Sequence, residues 1–260
     1  MRHRVGTFGF VPSRQPAPSI EDDARGLVDP SIAARHLQID RASPSPALAW
    51  AVEYHWSVRW DVPRTFVQRV VPHPAVHLTF EPDGAFVTGV ATGEWDRELQ
   101  GRGSVLGAKF RAGGFRPFIG ASMRSLTDRT LPVRDVFGPC VDPLVAQALV
   151  HVRAGDPIAA VAVMEELLLG LSTGRRELST AVSSVVEWVV GSVGSDATSL
   201  RVGALADALG VSVRQLQRVF ADVVGVSPKW VIDRARIHEV GERVRRDPTV
   251  RLDDLAAELG

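Results

Sequence analysis

Cysteine is nearly missing from this sequence: one residue, Cys140, stands in 260. A single thiol excludes an intramolecular disulfide framework and every zinc site built from several cysteines, and it suits a reducing, cytoplasmic compartment. Net charge is missing too. Thirty Lys and Arg balance thirty Asp and Glu, unlike the basic body of a protein that coats nucleic acid, so any nucleic-acid site has to be local. Long hydrophobic runs are also lacking. None approaches the roughly 18 residues that span a bilayer, and Phe8 to Val11, the longest apolar stretch of the N-terminus, is too short for a signal peptide. Neither export nor membrane insertion is expected. What is present suffices for a core: 45% of the residues are hydrophobic, and a chain of this length can bury them without disulfides or metals.

Six of the seventeen prolines fall in residues 1–46, without helical or strand periodicity, and this stretch reads as a disordered tail. From Ala47 to about residue 120, short runs rich in aromatic and β-branched residues alternate with turn signals. That pattern predicts an antiparallel sheet or small barrel. Asp83-Gly84 is the hairpin signal within it. Helices follow over about 140–191. Asp142-Pro143 and Asp156-Pro157 each place a capping side chain before a proline at the first helical position, and Gly155 and Gly170 are candidate C-terminal stops. A third helix, about 175–190, carries Val182, Val185, Val186 and Val189 on one face, and residues 191–199 read as a linker. The fold class is α+β, with a β-rich then helical domain over 47–192 and an all-α domain over 198–260.

The all-α domain has the most informative sequence. Leu205, Ala206 and Leu209 give a helix an apolar stripe that Gly210 can end, and Ser212 can cap the next helix, leaving a turn of about three residues. This is the spacing of a helix-turn-helix. On the second helix Val213, Leu216, Val219 and Phe220 share one face, while Arg214, Gln217 and Arg218 share the other. Arginine can grip guanine O6 and N7 as a fork, and glutamine can pair with adenine N6 and N7. Ser227-Pro228 starts a longer helix bearing Lys229, Arg234 and Arg236, candidates for phosphate contacts together with Ser212. Five basic residues face two acids between Arg214 and Arg236. This is the local positive site that a neutral total requires.

The order Leu205-Ala206, Leu209-Gly210, Ser212, Leu216, Gln217-Arg218, Phe220, Val224-Gly225, Ser227-Pro228-Lys229, Arg234 and Arg236-Ile237 resembles the DNA-binding domain of AraC/XylS transcription regulators. The resemblance covers about residues 198–260. It implies that the second helix enters the major groove of double-stranded DNA, with Arg214, Gln217 and Arg218 at its exposed positions. Asp233 departs from the pattern, being an acid where related sequences often carry a base. That family domain holds two helix-turn-helix units, and residues 202–210 recur as 252–260, matching at Leu205/Leu255, Ala206/Ala256, Leu209/Leu259 and Gly210/Gly260. The second recognition helix would lie beyond Gly260, so the sequence reads as a fragment.

The stretches WSVRWDVP (56–63), VPHPAVHLTFEPDG (71–84) and GAKFRAGGFRPFIG (107–120) resemble, over about residues 50–140, the N-terminal region of a subset of AraC-type regulators whose ligand is generally uncharacterised. The resemblance implies a sensor or dimerisation domain, a small-molecule effector, a homodimer, and RNA polymerase as a partner if the protein activates. Trp50, Tyr54, Trp56 and Trp60 alternate along one strand. With His77 they could line an effector pocket around Trp56 and Trp60, although a packed core is the expectation. His73, His77 and His55 could be read as a metal or anion site, but no acid or cysteine recurs at ligand spacing, so no metal is expected. Gly113-Gly114 between Arg111 and Arg116 could form an anion nest, with a tight turn beside surface arginines the simpler reading. No nucleophile elbow, Walker loop or dinucleotide fingerprint occurs. Cys140 lacks the neighbouring His of a methyl-accepting cysteine. Neither an enzyme nor a cofactor is expected. The alternative to a regulator is a ligand-binding or protein-interaction module with a non-functional DNA-binding half.

Overall fold

The computed structural model describes residues 36–172, 176–196 and 200–259. Most of the proline-rich stretch lies outside them, but residues 37–42 are a strand rather than part of a tail. Six strands form one antiparallel sheet: β1 (Leu37–Ala42), β2 (Val52–Val70), β3 (His77–Glu81), β4 (Gly84–Thr88), β5 (Trp95–Phe110) and β6 (Thr130–Pro132). The order β1-β2-β5-β3-β4-β6 leaves β1 and β6 as edges, so the sheet is open and not a barrel. Six residues from Leu37 to Ala42 pair with Trp60 to His55. That backbone pairing orders a segment whose own sequence carries little signal.

Strands β3 and β4 show why the sheet forms. Their buried residues alternate, Leu78, Phe80, Ala85 and Val87 all pointing to one face, as the two-residue strand period requires. The hairpin between them turns on Pro82 and Asp83, because Glu81 pairs with Gly84. Asp83-Gly84 is therefore not the turn pair. Proline at the second turn position presets φ near −65°, and neither turn residue takes a positive φ.

The helices are α1 (Val133–Phe137), α2 (Asp142–Ala154), α3 (Pro157–Leu171), α4 (Glu177–Asp196), α5 (Val202–Ala208), α6 (Val213–Val223), α7 (Pro228–Arg246) and α8 (Leu252–Leu259). Asp156 caps α3 by accepting from the Ala159 N–H, and Gly155 closes α2 with φ of 72°. Asp142 lies inside the first turn of α2 instead of capping it, and pairs with Arg134 at 2.9 Å. Gly170 does not stop α3, which runs to Leu171.

Two cores organise these elements. In the first, α2 and α3 cover the sheet face carrying Leu78, Phe80, Val87, Leu106, Ala108 and Phe110. His55 reaches into this core and meets Glu165 at 2.9 Å, while the Ser45 N–H donates to the same carboxylate oxygen at 2.8 Å. Burial opposes ionisation of Glu165, but these two bonds outweigh it and hold the carboxyl below its usual range. The second core joins Val182, Val185, Val186, Val189 and Val193 of α4 to Leu205, Leu216, Phe220, Val223, Val231 and Ile232. Here the expected linker is shortened: residues 191–196 are helical, and 197–199 lie outside the described residues. Val193 continues the valine stripe by one turn beyond Val189, so α4 runs on to Asp196 and its apolar face belongs with the C-terminal helices.

Candidate nucleic-acid interface

The α5–α6 pair is assembled as its sequence predicts. Gly210 takes φ of 64° in the turn, an arrangement that glycine adopts at no steric cost. Ser212 accepts from the Gln215 N–H, and the Gln215 side chain reaches back to the Ser212 N–H. This reciprocal cap satisfies two donors at the helix start. Leu216 and Phe220 are buried, Val219 is half-buried, and Val213, expected on the apolar face, is 40% exposed because it begins the helix ahead of the core. On the other face Arg214, Gln217 and Arg218 are all exposed. Among the described residues none of these three side chains has a hydrogen-bond or ion-pair partner.

Phosphate candidates separate into two groups. Ser212 and Lys229 are exposed, although Lys229 Nζ is held by Asp233 at 2.7 Å. Asp233, the acid that departs from the family pattern, also lies 3.8 Å from Arg236. Arg234 and Arg236 are engaged within the chain. Arg234 donates to the Thr92 carbonyl at 2.7 Å and stacks over the Trp230 ring, 4.7 Å from its centroid. Burial lowers its pKa without threatening its charge. Arg236 donates to the Leu200 carbonyl at 3.2 Å. Both guanidiniums are thus engaged by carbonyls of the chain itself.

The platform under α6 and α7 comes from two loops of the N-terminal half. Asp128, at φ of 58°, accepts from the Thr92 N–H at 2.6 Å and hydroxyl at 2.7 Å, clipping the loop after β4 to segment 111–129. Against this platform Thr127 donates to the Gly225 carbonyl at 2.8 Å, Ser122 to the Ala221 carbonyl at 3.3 Å, and Arg116 to Asp222 at 3.4 Å. Arg111 reaches Glu187 of α4 at 2.6 Å. Arg111 and Arg116, read from sequence as surface arginines beside a turn, therefore bridge to the C-terminal helices. Sequence reasoning missed this platform. The only local signal was four arginines against one aspartate between residues 111 and 129.

The candidate effector residues lie elsewhere. Tyr54, Trp56 and Trp60 occupy the sheet face opposite the α2–α3 layer and are half-buried rather than core. Trp56 lies over Gly107 and Trp60 over Gly103, where an added Cβ would come within 2.6 and 2.2 Å of the rings. Trp50 leaves the ladder and stacks on Phe118 at 5.7 Å. His77 meets Trp56 edge-on, with centroids 6.0 Å apart. Burial, then the Lys109 ammonium, lowers its pKa to about 3. The three histidines considered together from sequence are dispersed: His55 joins Glu165, His77 joins Trp56, and His73 stacks on His238 of α7 at 4.1 Å.

The α8 helix repeats the burial of α5 in part. Leu205, Leu255 and Leu259 are each 3% exposed, whereas Ala206 is buried and Ala256 is exposed. Ala256 lines an open groove with Ile237, Val240 and Leu259.

The molecule thus joins an α+β domain to a helix-turn-helix whose polar face points outward. A helix-turn-helix domain family matches residues 205–260, and a domain of unknown function (DUF6597) matches residues 40–132. This pairing, an AraC-type helix-turn-helix behind an uncharacterised N-terminal domain, matches the arrangement of AraC-type regulators. No curated protein and no solved structure matches the chain. No helix among the described residues is long and apolar enough to cross a membrane.

Proposed function

We propose that this regulator reads operator sequence through α6, with Arg214, Gln217 and Arg218 contacting base edges in the major groove. The observation that carries this reading is their joint exposure on one face of a firmly capped helix, with no partner among the described residues. Fork-shaped and amide side chains placed three and four residues apart suit base-edge recognition. Ser212 and Lys229 hold the adjacent phosphates, the lysine after exchanging Asp233 for DNA. The protein works in the cytoplasm, where the DNA is, and without catalysis.

The N-terminal domain gates this activity, as a homodimer or through an apolar effector on the Trp56, Trp60 and His77 face. Arg234 and Arg236 serve as phosphate contacts only in a second state, since both are now held by carbonyls of the chain. An effector that prefers one state shifts the balance between the two. RNA polymerase is a partner if the protein activates.

A binding-site selection at fixed salt tests base reading. Arg218→Ala is expected to cost about 1–3 kcal/mol and to relax the preference at one base position. An unchanged ranking of sequences would defeat the assignment.

A further inference from the structure

Arg124 lies outside the helix-turn-helix, in a short 3-10 turn (Met123–Ser125) within the domain of unknown function. The turn is rigidly placed. Met123 is 2% exposed, the Met123 carbonyl lies against Gly225, and Ser122 is bonded to Ala221 of α6. The Arg124 side chain points the other way. It is exposed, and among the described residues its guanidinium has no hydrogen-bond or ion-pair partner. With Arg218 it borders an open cleft of about 490 Å³, floored by Leu178, Val219 and Ala221. Asp222, the acid on this rim, is drawn off by Arg116.

Two unpaired guanidiniums on one open cleft, with the nearby carboxylate already neutralised, make an anion-attracting rim along the flank of α6. Arg218 belongs to the face that enters the groove, so what runs beside that face in a complex is the DNA backbone. We infer that Arg124 is a phosphate contact of the DNA complex, so that the N-terminal domain forms part of the DNA-binding surface. The inference rests on α6 being the recognition helix. It makes domain docking a direct determinant of DNA affinity, because undocking carries Arg124 away from the backbone.

The test uses the full chain, the duplex it selects from a random pool, and a scrambled duplex of the same composition. Arg124→Ala is expected to weaken both by a common factor and to lower the slope of log affinity against log salt by about 0.9, the share of one phosphate. Arg124→Lys is expected to restore most of that slope. Inorganic phosphate is expected to displace the duplex no better than chloride at equal ionic strength. The inference is overturned if Arg124→Ala leaves the slope unchanged, raises affinity or re-ranks sequences, or if phosphate competes specifically, which would mark a small-anion site. If Arg218→Ala is silent as well, the recognition-helix reading fails. If Arg124→Ala alone is silent, only this inference fails.

Discussion

At the scale of single residues, function and stability occupy different chemistry. Arg214, Gln217 and Arg218 are exposed and have no folding partner among the described residues, so under the proposed reading their replacement is expected to change DNA binding more than folding. His77 is the opposite case. Its folded pKa of about 3 lies below the roughly 6.5 of an unfolded chain. Between those values the unfolded chain takes up a proton that the folded protein refuses. His77 therefore supports the fold fully above pH 6.5 and opposes it progressively as pH falls toward 3, by up to about 1.4 kcal/mol per pH unit. Urea unfolding of His77→Gln is expected to fall less steeply between pH 7 and 4 than that of the wild type. Parallel curves would refute the buried neutral imidazole. Glu165 acts in a lower range, because its depressed carboxyl stabilises the fold above its unfolded pKa and loses that effect as acid reprotonates it.

At the scale of elements, local grammar decided most boundaries and tertiary packing decided the rest. The cap at Ser212, the glycine at 210 and the Ser227-Pro228 start were legible because each satisfies helix-end donors or backbone geometry within a few residues. Ser212→Ala should cost about 1 kcal/mol in unfolding experiments. A variant as stable as the wild type would mean that the capping box contributes nothing. Strand β1 and the last turns of α4 were not legible. Leu37–Ala42 becomes a strand through hydrogen bonds to β2, and residues 191–196 stay helical because Val193 has a core to enter. Both outcomes depend on partners outside the segment itself.

At the scale of the whole molecule, the central feature is the contact between the sheet domain's loops and α6–α7. Gly225 shows how tight it is: with φ of 98°, an added Cβ would come within 2.9 Å of the Thr127 hydroxyl oxygen and 3.1 Å of the Met123 carbonyl. Gly225→Ala is therefore expected to lower stability by about 1–3 kcal/mol through backbone strain and lost docking. It should also render the loop after β4 and segment 111–129 more accessible to limited proteolysis. Unchanged stability and protection would mean that the domains do not depend on this contact. The sequence by itself determined the helix-turn-helix, its polar face and the α+β class, since caps, turns and periodicity act over a few residues. The structure alone decided that Arg234 and Arg236 bind the chain's own carbonyls, that Arg124 joins Arg218 at one cleft, and that α4 belongs to the C-terminal core. The physical reason is that those roles depend on which residues meet across separated stretches of chain, 36 positions apart for Arg236 and Leu200 and 142 for Arg234 and Thr92, and no local spacing records that.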